Sequence, residues 1–307
     1  ERNANYLKQL TCRVYTDTST LATALETGEI DFTADLETNG LSQFMIGDTV
    51  DESLGLIQMA GENNAFVQLM FNCSESSPCS DIKLRQAICY AIDAAGCAMQ
   101  VYGALGEVCN APTNPNLEDS GLEFGYDDYF NQDLEKARQL VEESSYNGET
   151  LELLVLPRTT VSASAVLIQN YLDQVGIKVT LNEKDMATYR KIRTSADATH
   201  DFELLGATSG DSYVYTSLKD LNAASSRSGM SLIKIQDDEL QARYDAVKSQ
   251  ATNSPETVQA LFDYVTEQCY VYGMYYSGKV MLGKDIIKQG TVVPFFGPIF
   301  NSFVIQR

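Results

Sequence analysis

Residues 69–103 have the sequence LMFNCSESSPCSDIKLRQAICYAIDAAGCAMQVYG, in which an apolar run, a polar turn and a long amphipathic segment follow one another. The apolar run indicates a buried strand. The amphipathic segment predicts a long helix that begins at Ser80 or Asp81, because both residue types cap helix N-termini. Apolar residues recur there with helical spacing and predict a face that packs on the sheet: Leu84, Ala87, Ile88, Ala91 and Ile92. This stretch therefore predicts a strand–helix unit of an α/β fold.

Strands and helices alternate along most of the remaining chain. Near its start we predict a strand at residues 10–15, a helix at 17–26 that Asp17 or Thr18 caps, and a strand at 30–34. Further strands are predicted at 54–60, 65–72, 150–156, 177–181, 202–207, 270–278 and 279–283, and further helices around 134–141, 167–175, 186–192, 240–247 and 258–265. The turn-rich residues 110–131 predict an ordered crossing segment, and the C-terminal tail, 291–307, is expected to rejoin the first sheet. The predicted class is α/β, with mixed sheets flanked by helices.

The composition excludes several classes of function. Forty-two acidic residues against 22 basic ones give a net charge of −20, so nucleic acids and anionic lipid surfaces are repelled. No stretch approaches the roughly 20 consecutive apolar residues that a membrane-spanning helix needs, and the first residues, ERNANYLKQL, lack the pattern of a signal peptide. We therefore expect a soluble protein that binds no nucleic acid.

The seven cysteines, an odd number, leave at least one thiol unpaired in a monomer. Cys73 and Cys79 flank the short loop SESSP, which can bring them within bridging distance, so a disulfide between them is a hypothesis. Cys89 and Cys97 lie on the predicted helix and are expected to be buried. The only histidine is His200, expected to be an ordinary loop residue before a strand, and no CxxC motif occurs. We therefore predict no metal site, no catalytic Cys–His pair and no cofactor.

Seven segments occur in an order that resembles one protein family. They are ERNANY (1–6), STLATALETGEIDF (19–32), MFN with SDIKLRQAICYAID (70–72 and 80–93), VYGALG (101–106), LEKARQLVEESSY (134–146), VGIKVTL (175–181) and FELLGATSGD (202–211). With these segments, which extend over nearly the whole chain, the protein resembles the C-terminal portion of the family 5 extracellular solute-binding proteins. That family serves ABC importers of oligopeptides, dipeptides and nickel.

The resemblance implies a periplasmic-binding-protein-like fold of the cluster C type, with two lobes of which one is incomplete in this chain. Residues 1–64 would form the first segment of lobe I, residues 65–277 the contiguous lobe II, and residues 278–307 a return to lobe I. In such proteins the lobes close over a ligand about a hinge of crossover strands. The resemblance also implies binding without catalysis, an ABC permease as membrane partner, an extracytoplasmic location in the periplasm or on a lipid anchor, and a monomer.

The same resemblance implies a set of ligand-binding residues. Asp211, in the segment SGD, is similar in position to an aspartate that pairs with the free α-amino group of a bound peptide. Arg158 and Arg193 fall where relatives place groups that meet a peptide carboxylate, a partner that the planar guanidinium suits. The remaining candidates are side chains that can line a ligand: Met186, Tyr189, Tyr213 and Tyr275, with Tyr215 and Tyr276 beside the last two.

Structural roles are the alternative for each of these candidates. Asp211 can cap the turn beside Gly210, the arginines can lie on the surface, and tyrosines that alternate along a strand are typical of sheet packing. An enzyme is not favoured, because the sequence has no paired base and nucleophile and no phosphate-binding loop. The alternative functions are a ligand-sensing domain fused to a regulator or receptor, and a binder of nickel complexes or oligosaccharides.

Overall fold

The computed structural model describes residues 7–36, 38–47, 49–59, 65–103, 106–113, 126–195, 198–208, 218, 221, 233–234, 236–248, 254–276, 280–293 and 297–306. The chain divides into two compact units. Unit 1 comprises Glu1–Asn63, Tyr102–Gly106 and Ser277–Arg307, and unit 2 comprises Asn64–Val101 and Glu107–Tyr276. Both units contain helices and strands, which confirms the predicted α/β class. Their identity with lobes I and II stays a prediction.

The regular elements are numbered here in chain order. The strands are β1 (Phe32–Leu36), β2 (Met45–Ile46), β3 (Thr49–Val50), β4 (Leu56–Met59), β5 (Ala65–Phe71), β6 (Glu107–Val108), β7 (Leu151–Val155), β8 (Val179–Glu183), β9 (Phe202–Thr208), β10 (Val271–Tyr276), β11 (Val280–Lys284), β12 (Ile287–Val293) and β13 (Gly297–Ile305). The helices are α1 (Thr18–Glu26), α2 (Thr38–Leu41), α3 (Ile82–Ala91), α4 (Ala94–Tyr102), α5 (Leu134–Glu143), α6 (Thr159–Asp173), α7 (Met186–Arg193), α8 (Asp238–Lys248) and α9 (Pro255–Gln268).

Unit 1 is organised around a three-stranded antiparallel sheet with the order β1-β11-β4. The carboxylate of Asp17 caps α1 by accepting the N–H of Thr20 at 2.8 Å, as predicted, and Gly28 follows the helix with a φ of 76°. Apolar side chains from the helices and the sheet form one core, among them Ala22, Leu25, Leu36, Phe44 and Leu282. The N-terminal helix–strand pair is thus held by its cap and by burial of one helix face.

Two predictions for the ends of the chain are wrong. Residues 10–15, predicted as a strand, have no regular secondary structure, because a strand needs a hydrogen-bonded neighbour and the described residues give this segment none. The C-terminal tail does not rejoin the first sheet, since β12 and β13 form a hairpin of their own while β11 enters the sheet. Phe32 of β1 meets Phe303 of β13 edge-on, so this hairpin packs against the sheet through side chains instead.

Unit 2 is built on a six-stranded sheet with the order β6-β10-β5-β9-β7-β8. Strand β7 is parallel to β8 and β9, whereas β5 is antiparallel to both β9 and β10. Helices α6 and α7 are the crossovers that join the parallel strands in the sequence β7-α6-β8-α7-β9. Every residue of β10 is buried, as expected for a central strand covered on both faces.

The long helix predicted within residues 80–103 consists of two helices, α3 and α4. Asp81 caps α3 by accepting the N–H of Lys83 at 2.9 Å, and the predicted apolar face is buried. The first helix ends at Ala91, because the carboxylate of Asp93 accepts the N–H of Gly96 at 2.8 Å and begins a new helix. The apolar spacing continues through residues 91–94, but the capping residue Asp93 divides the segment into two helices.

The crossing segment predicted at 110–131 is described at residues 110–113 and 126–131. Its second part is ordered by aromatic packing, in which Tyr129 and Phe130 contact Tyr272 of β10, and by the Tyr126 hydroxyl, which donates to Asp263 of α9 at 2.6 Å. Residues 114–125 lie outside the described ranges. None of the helices described above is long and apolar enough to cross a membrane.

Candidate functional site

Five strands of the six-stranded sheet begin or end along one edge, the edge that runs across the strand termini. The parallel strands β7, β8 and β9 all finish there, at Val155, Glu183 and Thr208. Strand β5 begins at this edge, where Ala65 pairs with Thr208, and β10 ends there, where Tyr276 pairs with Phe66. Open α/β sheets bind ligands beyond the C-terminal ends of their parallel strands. This edge, called the C-terminal edge below, is therefore the candidate site.

Arg158 lies at the C-terminal edge, three residues beyond the end of β7. It holds the N-cap position of α6 in an extended conformation, its side chain is exposed, and it makes no capping hydrogen bond. Its Nη1 lies 4.0 Å from where a Cβ on Gly206 would stand, so the guanidinium reaches across to β9. No carboxylate among the described residues forms an ion pair with it. Arg158 is thus a cation exposed beside the neighbouring strand.

The first turn of α6 adds to the positive potential at this position. The helix has 15 residues, and its leading N–H groups receive no side-chain cap. Unsatisfied N–H groups and the helix dipole favour an anion near a helix N-terminus. Arg158 and the start of α6 together therefore suit a carboxylate.

Met186 also lies close to the C-terminal edge. It is the first residue of α7, which begins three residues after β8 ends, and its side chain is half-buried. The preceding residue, Asp185, caps the helix by accepting the N–H groups of Ala187 at 3.0 Å and Thr188 at 3.1 Å. Hydrogen bonds from Thr188 hold the pKa of Asp185 below its usual value. The cap fixes the start of α7 and with it the position of the Met186 side chain.

Tyr189 and Arg193 lie one and two turns further along α7 and meet Glu203 of β9. The Arg193 Nε donates to both carboxylate oxygens of Glu203 at 2.9 Å, and the Tyr189 hydroxyl donates to one of them at 3.1 Å. Glu203 is 1% exposed and is the second residue of β9, five residues from Thr208. At about 3.3 Å per residue, this places the cluster well away from the C-terminal edge. The ligand-binding roles of Tyr189 and Arg193 stay predictions.

Polar groups continue from Glu203 towards the start of β9. The ammonium of Lys234 donates to the carbonyl oxygens of Arg193 at 2.8 Å and Ser195 at 2.9 Å. Asp201 accepts the Ser77 hydroxyl at 2.7 Å and the N–H of Glu152 at 2.8 Å, and burial raises its pKa. These contacts tie α7 and neighbouring loops to the sheet.

His200 lies within the same group. Its side chain is buried, burial and then the charge of Lys234 lower its pKa to about 4, and its Nδ1 has no hydrogen-bond partner among the described residues. It lies in the loop before β9, as predicted, and its imidazole is buried and neutral at pH 7. This polar group was not predicted, although Glu203 within the apolar strand FELLGA is a recognisable signal of it.

Tyr275 and Tyr276 end β10 at the C-terminal edge, but both are buried. The Tyr275 hydroxyl forms a hydrogen bond with the hydroxyl of Ser164 on α6, and its ring is 0% exposed. Burial is the main cause that raises the pKa of Tyr276. Here Tyr275 joins β10 to α6, and contact of its ring with a ligand stays a prediction. Asp211, Tyr213 and Tyr215 lie outside the described residues.

Cys73 and Cys79 are buried free thiols. The Cys73 thiol donates to the carbonyl of Phe71 at 3.7 Å, and burial raises its pKa to about 12. Burial likewise raises the pKa of Cys79 well above its usual value. The predicted disulfide between these two stays a prediction. No group of three or more His, Cys, Asp or Glu side chains within the described part of the chain is arranged to hold a metal ion.

Comparison with known proteins relates the chain to solute-binding proteins. A family model described as "Bacterial extracellular solute-binding proteins, family 5 Middle" matches residues 1–226. Heme-binding protein A of Haemophilus influenzae is 29% identical over 150 residues, a match that covers 46% of this chain and 26% of that protein. Among solved structures, the ABC transporter substrate-binding protein CtaP from Listeria monocytogenes has a TM-score of 0.81 at 18% identity, over 96% of this chain and 60% of that one.

The oligopeptide-binding protein AppA from Bacillus subtilis, solved in complex with a nonapeptide, is similar over the same shares of the two chains. Its TM-score is 0.76 and its identity is 16%. These structural likenesses confirm the predicted periplasmic-binding-protein-like fold. The chain spans less than two thirds of the length of the relatives that it matches.

Proposed function

Because the chain belongs to the bacterial extracellular solute-binding proteins of family 5, we propose that it is part of the substrate-binding component of an ABC importer. In this proposal the protein captures a small solute and delivers it to a membrane permease. We propose that this solute is a peptide. The observation that carries the ligand class is the exposed Arg158 beside the uncapped N-terminus of α6 at the C-terminal edge.

A peptide has the charges that such a site would recognise. Its terminal carboxylate fits the two-pronged guanidinium of Arg158, and the N–H groups of α6 add a second favourable field. The segment after β9 carries Asp211, which we propose as the partner of the α-amino group. Because β7 and β9 are adjacent strands, about 4.8 Å apart, residues that follow them can contact one ligand. The contacts would strengthen as the ligand excludes water.

The rest of the proposal concerns the setting of the protein. The family description supports an extracytoplasmic location, and we propose the periplasm or a lipid anchor on the outer face of the cytoplasmic membrane. The proposed partners are the transmembrane subunits of an ABC permease. We also propose a monomer without enzymatic activity, in which binding alone is the function. A net charge of −20 supports the absence of nucleic-acid binding.

A thermal-shift panel with the full-length protein tests the ligand class. The compounds are di-, tri- and pentapeptides, nickel chelates, oligosaccharides and hemin. A saturable ligand of the native state raises the melting temperature, and we expect this for peptides. A rise with hemin or a nickel chelate but with no peptide would contradict the peptide proposal, and so would the absence of any rise.

The Asp211→Ala variant tests the proposed contact with the ligand's amino group. We expect it to weaken the binding of a peptide with a free N-terminus much more than the binding of the same peptide N-acetylated. The comparison needs calorimetric titration of both peptides against both proteins. Equal losses for the two peptides would reject the role of Asp211 while leaving the peptide proposal intact.

A further inference from the structure

Two cysteines that lie far apart in the sequence meet in the core of unit 2. Cys89 is in α3, and Cys269 follows the last residue of α9. Their Sγ atoms are 3.4 Å apart, although 180 positions separate them along the chain, and both side chains are 0% exposed. A disulfide needs an S–S distance of about 2.05 Å, so a displacement of little more than an ångström would bring the two sulfurs into bonding distance.

The backbone of Cys269 is unusual for a residue with a side chain. It is the C-cap of α9 with a φ of 52° and a ψ of 46°, in the left-handed region that favours glycine. A non-glycine residue there is disfavoured by the contact of its Cβ with the backbone. The backbone conformation therefore gives no reason for a cysteine at position 269. The contact of the Cys269 sulfur with the sulfur of Cys89 does give one.

A buried cation lies beside this pair. Arg85 is 3% exposed, and its Nε donates to the carbonyl of Cys269 at 3.1 Å while its Nη1 donates to the carbonyl of Cys79 at 2.8 Å. No carboxylate among the described residues forms an ion pair with Arg85. Its charge acts to lower the pKa of Cys89, against the larger effect of burial, which raises it. Arg85 offsets only part of this rise, so the thiolate that attacks disulfides is disfavoured once Cys89 is buried, and the reaction belongs to folding, before burial is complete.

Two other thiols donate to backbone carbonyls, and a third is exposed. Cys109 donates to the carbonyl of Ala111 at 3.6 Å, and the Cys73 thiol donates to Phe71 as described above. Cys12 is exposed on the irregular N-terminal segment. The contact between Cys89 and Cys269 is thus set apart by its distance and by the helix ends that it joins.

We propose that Cys89 and Cys269 form a disulfide when the protein folds in an oxidising compartment. One thiolate attacks the disulfide of an oxidant, either a thiol oxidase or oxidised glutathione, forms a mixed disulfide with it and releases one thiol. The second thiolate then displaces the remaining thiol of the oxidant. Two electrons and two protons pass from the cysteine pair to the oxidant, which leaves as two thiols. The proposed function enters here only through the oxidising, extracytoplasmic compartment.

Peptide mapping of refolded protein tests the link. The full chain is unfolded and reduced, refolded in a mixture of oxidised and reduced glutathione, quenched in acid, and alkylated in denaturant before proteolysis without reductant. We expect a linked peptide pair that contains Cys89 and Cys269, and at most five of the seven cysteines alkylated, because two are bonded to each other. Alkylation of all seven, or a bond between Cys73 and Cys79 alone, overturns the proposal.

Two double variants supply matched controls. C73S/C79S is expected to keep the link, and C89S/C269S to lose it. If C89S/C269S does not fold, the wild-type map still decides. Reductant is expected to lower the urea midpoint of the wild-type protein and of C73S/C79S, and an unchanged midpoint in both would reject the cross-link.

The mass readout is independent of ligand binding, so the two proposals can fail separately. A protein that forms the link but binds no peptide retains this inference and contradicts the proposed function. A protein that binds peptide but has seven free thiols supports the proposed function and contradicts this inference.

Discussion

The Nε of Arg193 donates to both carboxylate oxygens of Glu203, at 2.9 Å from each, inside an otherwise apolar strand. Glu203 has 2% of its side chain exposed and Arg193 has 17%. A buried carboxylate is tolerated only with a partner. The ion pair between Arg193 and Glu203 therefore holds α7 against β9. One face of α7 thus serves stability, while its first residue, Met186, lies near the C-terminal edge.

We expect Glu203→Ala to destabilise unit 2 strongly. The substitution leaves the guanidinium of Arg193 partly buried without its counter-charge, and removal of one partner of a buried ion pair costs about 3–5 kcal/mol. Urea unfolding followed by circular dichroism measures this loss as a lower free energy of unfolding.

Glu143→Ala is the matched control, since Glu143 forms an exposed ion pair with Lys83 in which both side chains are more than 40% exposed. Exposed pairs contribute about 0–1 kcal/mol, so this variant should remain close to the wild type. Similar losses in the two variants would show that burial does not decide the strength of the Arg193–Glu203 pair.

Arg158→Ala is expected to weaken peptide binding while leaving stability unchanged, because the side chain is exposed and has no carboxylate partner among the described residues. Loss of a hydrogen bond to a charged group costs about 1.5–3 kcal/mol, which is about ten- to hundredfold in affinity. Calorimetric titration with a peptide and with its C-terminal amide separates the carboxylate contact from other effects.

Arg190→Ala, on an exposed position of α7, removes the same charge and controls for long-range electrostatics. The amide should bind the Arg158→Ala and wild-type proteins alike. A loss for the amide as large as that for the free acid would contradict a carboxylate contact.

The single histidine should give the protein an acid-dependent loss of stability. The pKa of His200 is about 4 in the folded protein against an ordinary value of 6.5, because burial disfavours the charged imidazole. A lowered histidine pKa contributes stability that is present above pH 6.5 and is lost as the pH falls towards 4. The change from 6.5 to about 4 corresponds to about 3 kcal/mol, measurable as the pH dependence of the free energy of unfolding.

His200→Gln is expected to remove this contribution, whatever its effect on absolute stability. Asp201 must be considered in the same experiment, because burial raises its pKa and its contribution therefore has the opposite sign, present at low pH and lost as the pH rises. A slope between pH 6.5 and 4 that is the same in the wild type and in His200→Gln would show that His200 is not the group responsible.

Two glycines of the same sheet should respond differently to alanine. A Cβ on Gly273 of β10 would lie 2.2 Å from the backbone oxygen of Ala111, whereas on Gly206 the nearest atom would be 3.8 Å away. Gly273→Ala therefore forces backbone to move and should cost about 1–3 kcal/mol. Gly206→Ala should change stability by about 0.5 kcal/mol or less. Thermal denaturation of both variants checks the contrast, which equal melting temperatures would refute.

Local signals predicted a large part of unit 2. The cap at Asp81, the apolar face of α3 and the alternation of strands and helices from residue 134 onwards are encoded in neighbouring residues, and the structure has them. The break after Ala91 was missed because a capping aspartate and a helix-interior aspartate look alike in the sequence. The aspartate is distinguished only by its bond to Gly96.

Long-range pairing was much harder to predict. The tail hairpin β12–β13 and the place of β11 between β1 and β4 depend on which strands meet, and hydrophobicity does not specify the partner. The contact of Cys89 with Cys269 joins residues from distant segments, and the spacing of residues in the sequence does not indicate it. The sequence identified arginines and tyrosines as candidate ligand-binding residues from their residue types. The contacts of Arg193 with Glu203 and of Tyr275 with Ser164 depend on tertiary packing and could not be predicted.

The first and last strands of unit 2, β5 and β10, are antiparallel neighbours, with Phe66 opposite Tyr276. The stretch from residue 65 to residue 276 therefore begins and ends in paired strands. It lies between β4 and β11 in the chain, and closing a long loop costs conformational entropy that grows with its length. Pairing of β5 with β10 already closes most of that loop. We therefore expect the β5–β10 pairing to lower the entropic cost of forming the β4–β11 ladder.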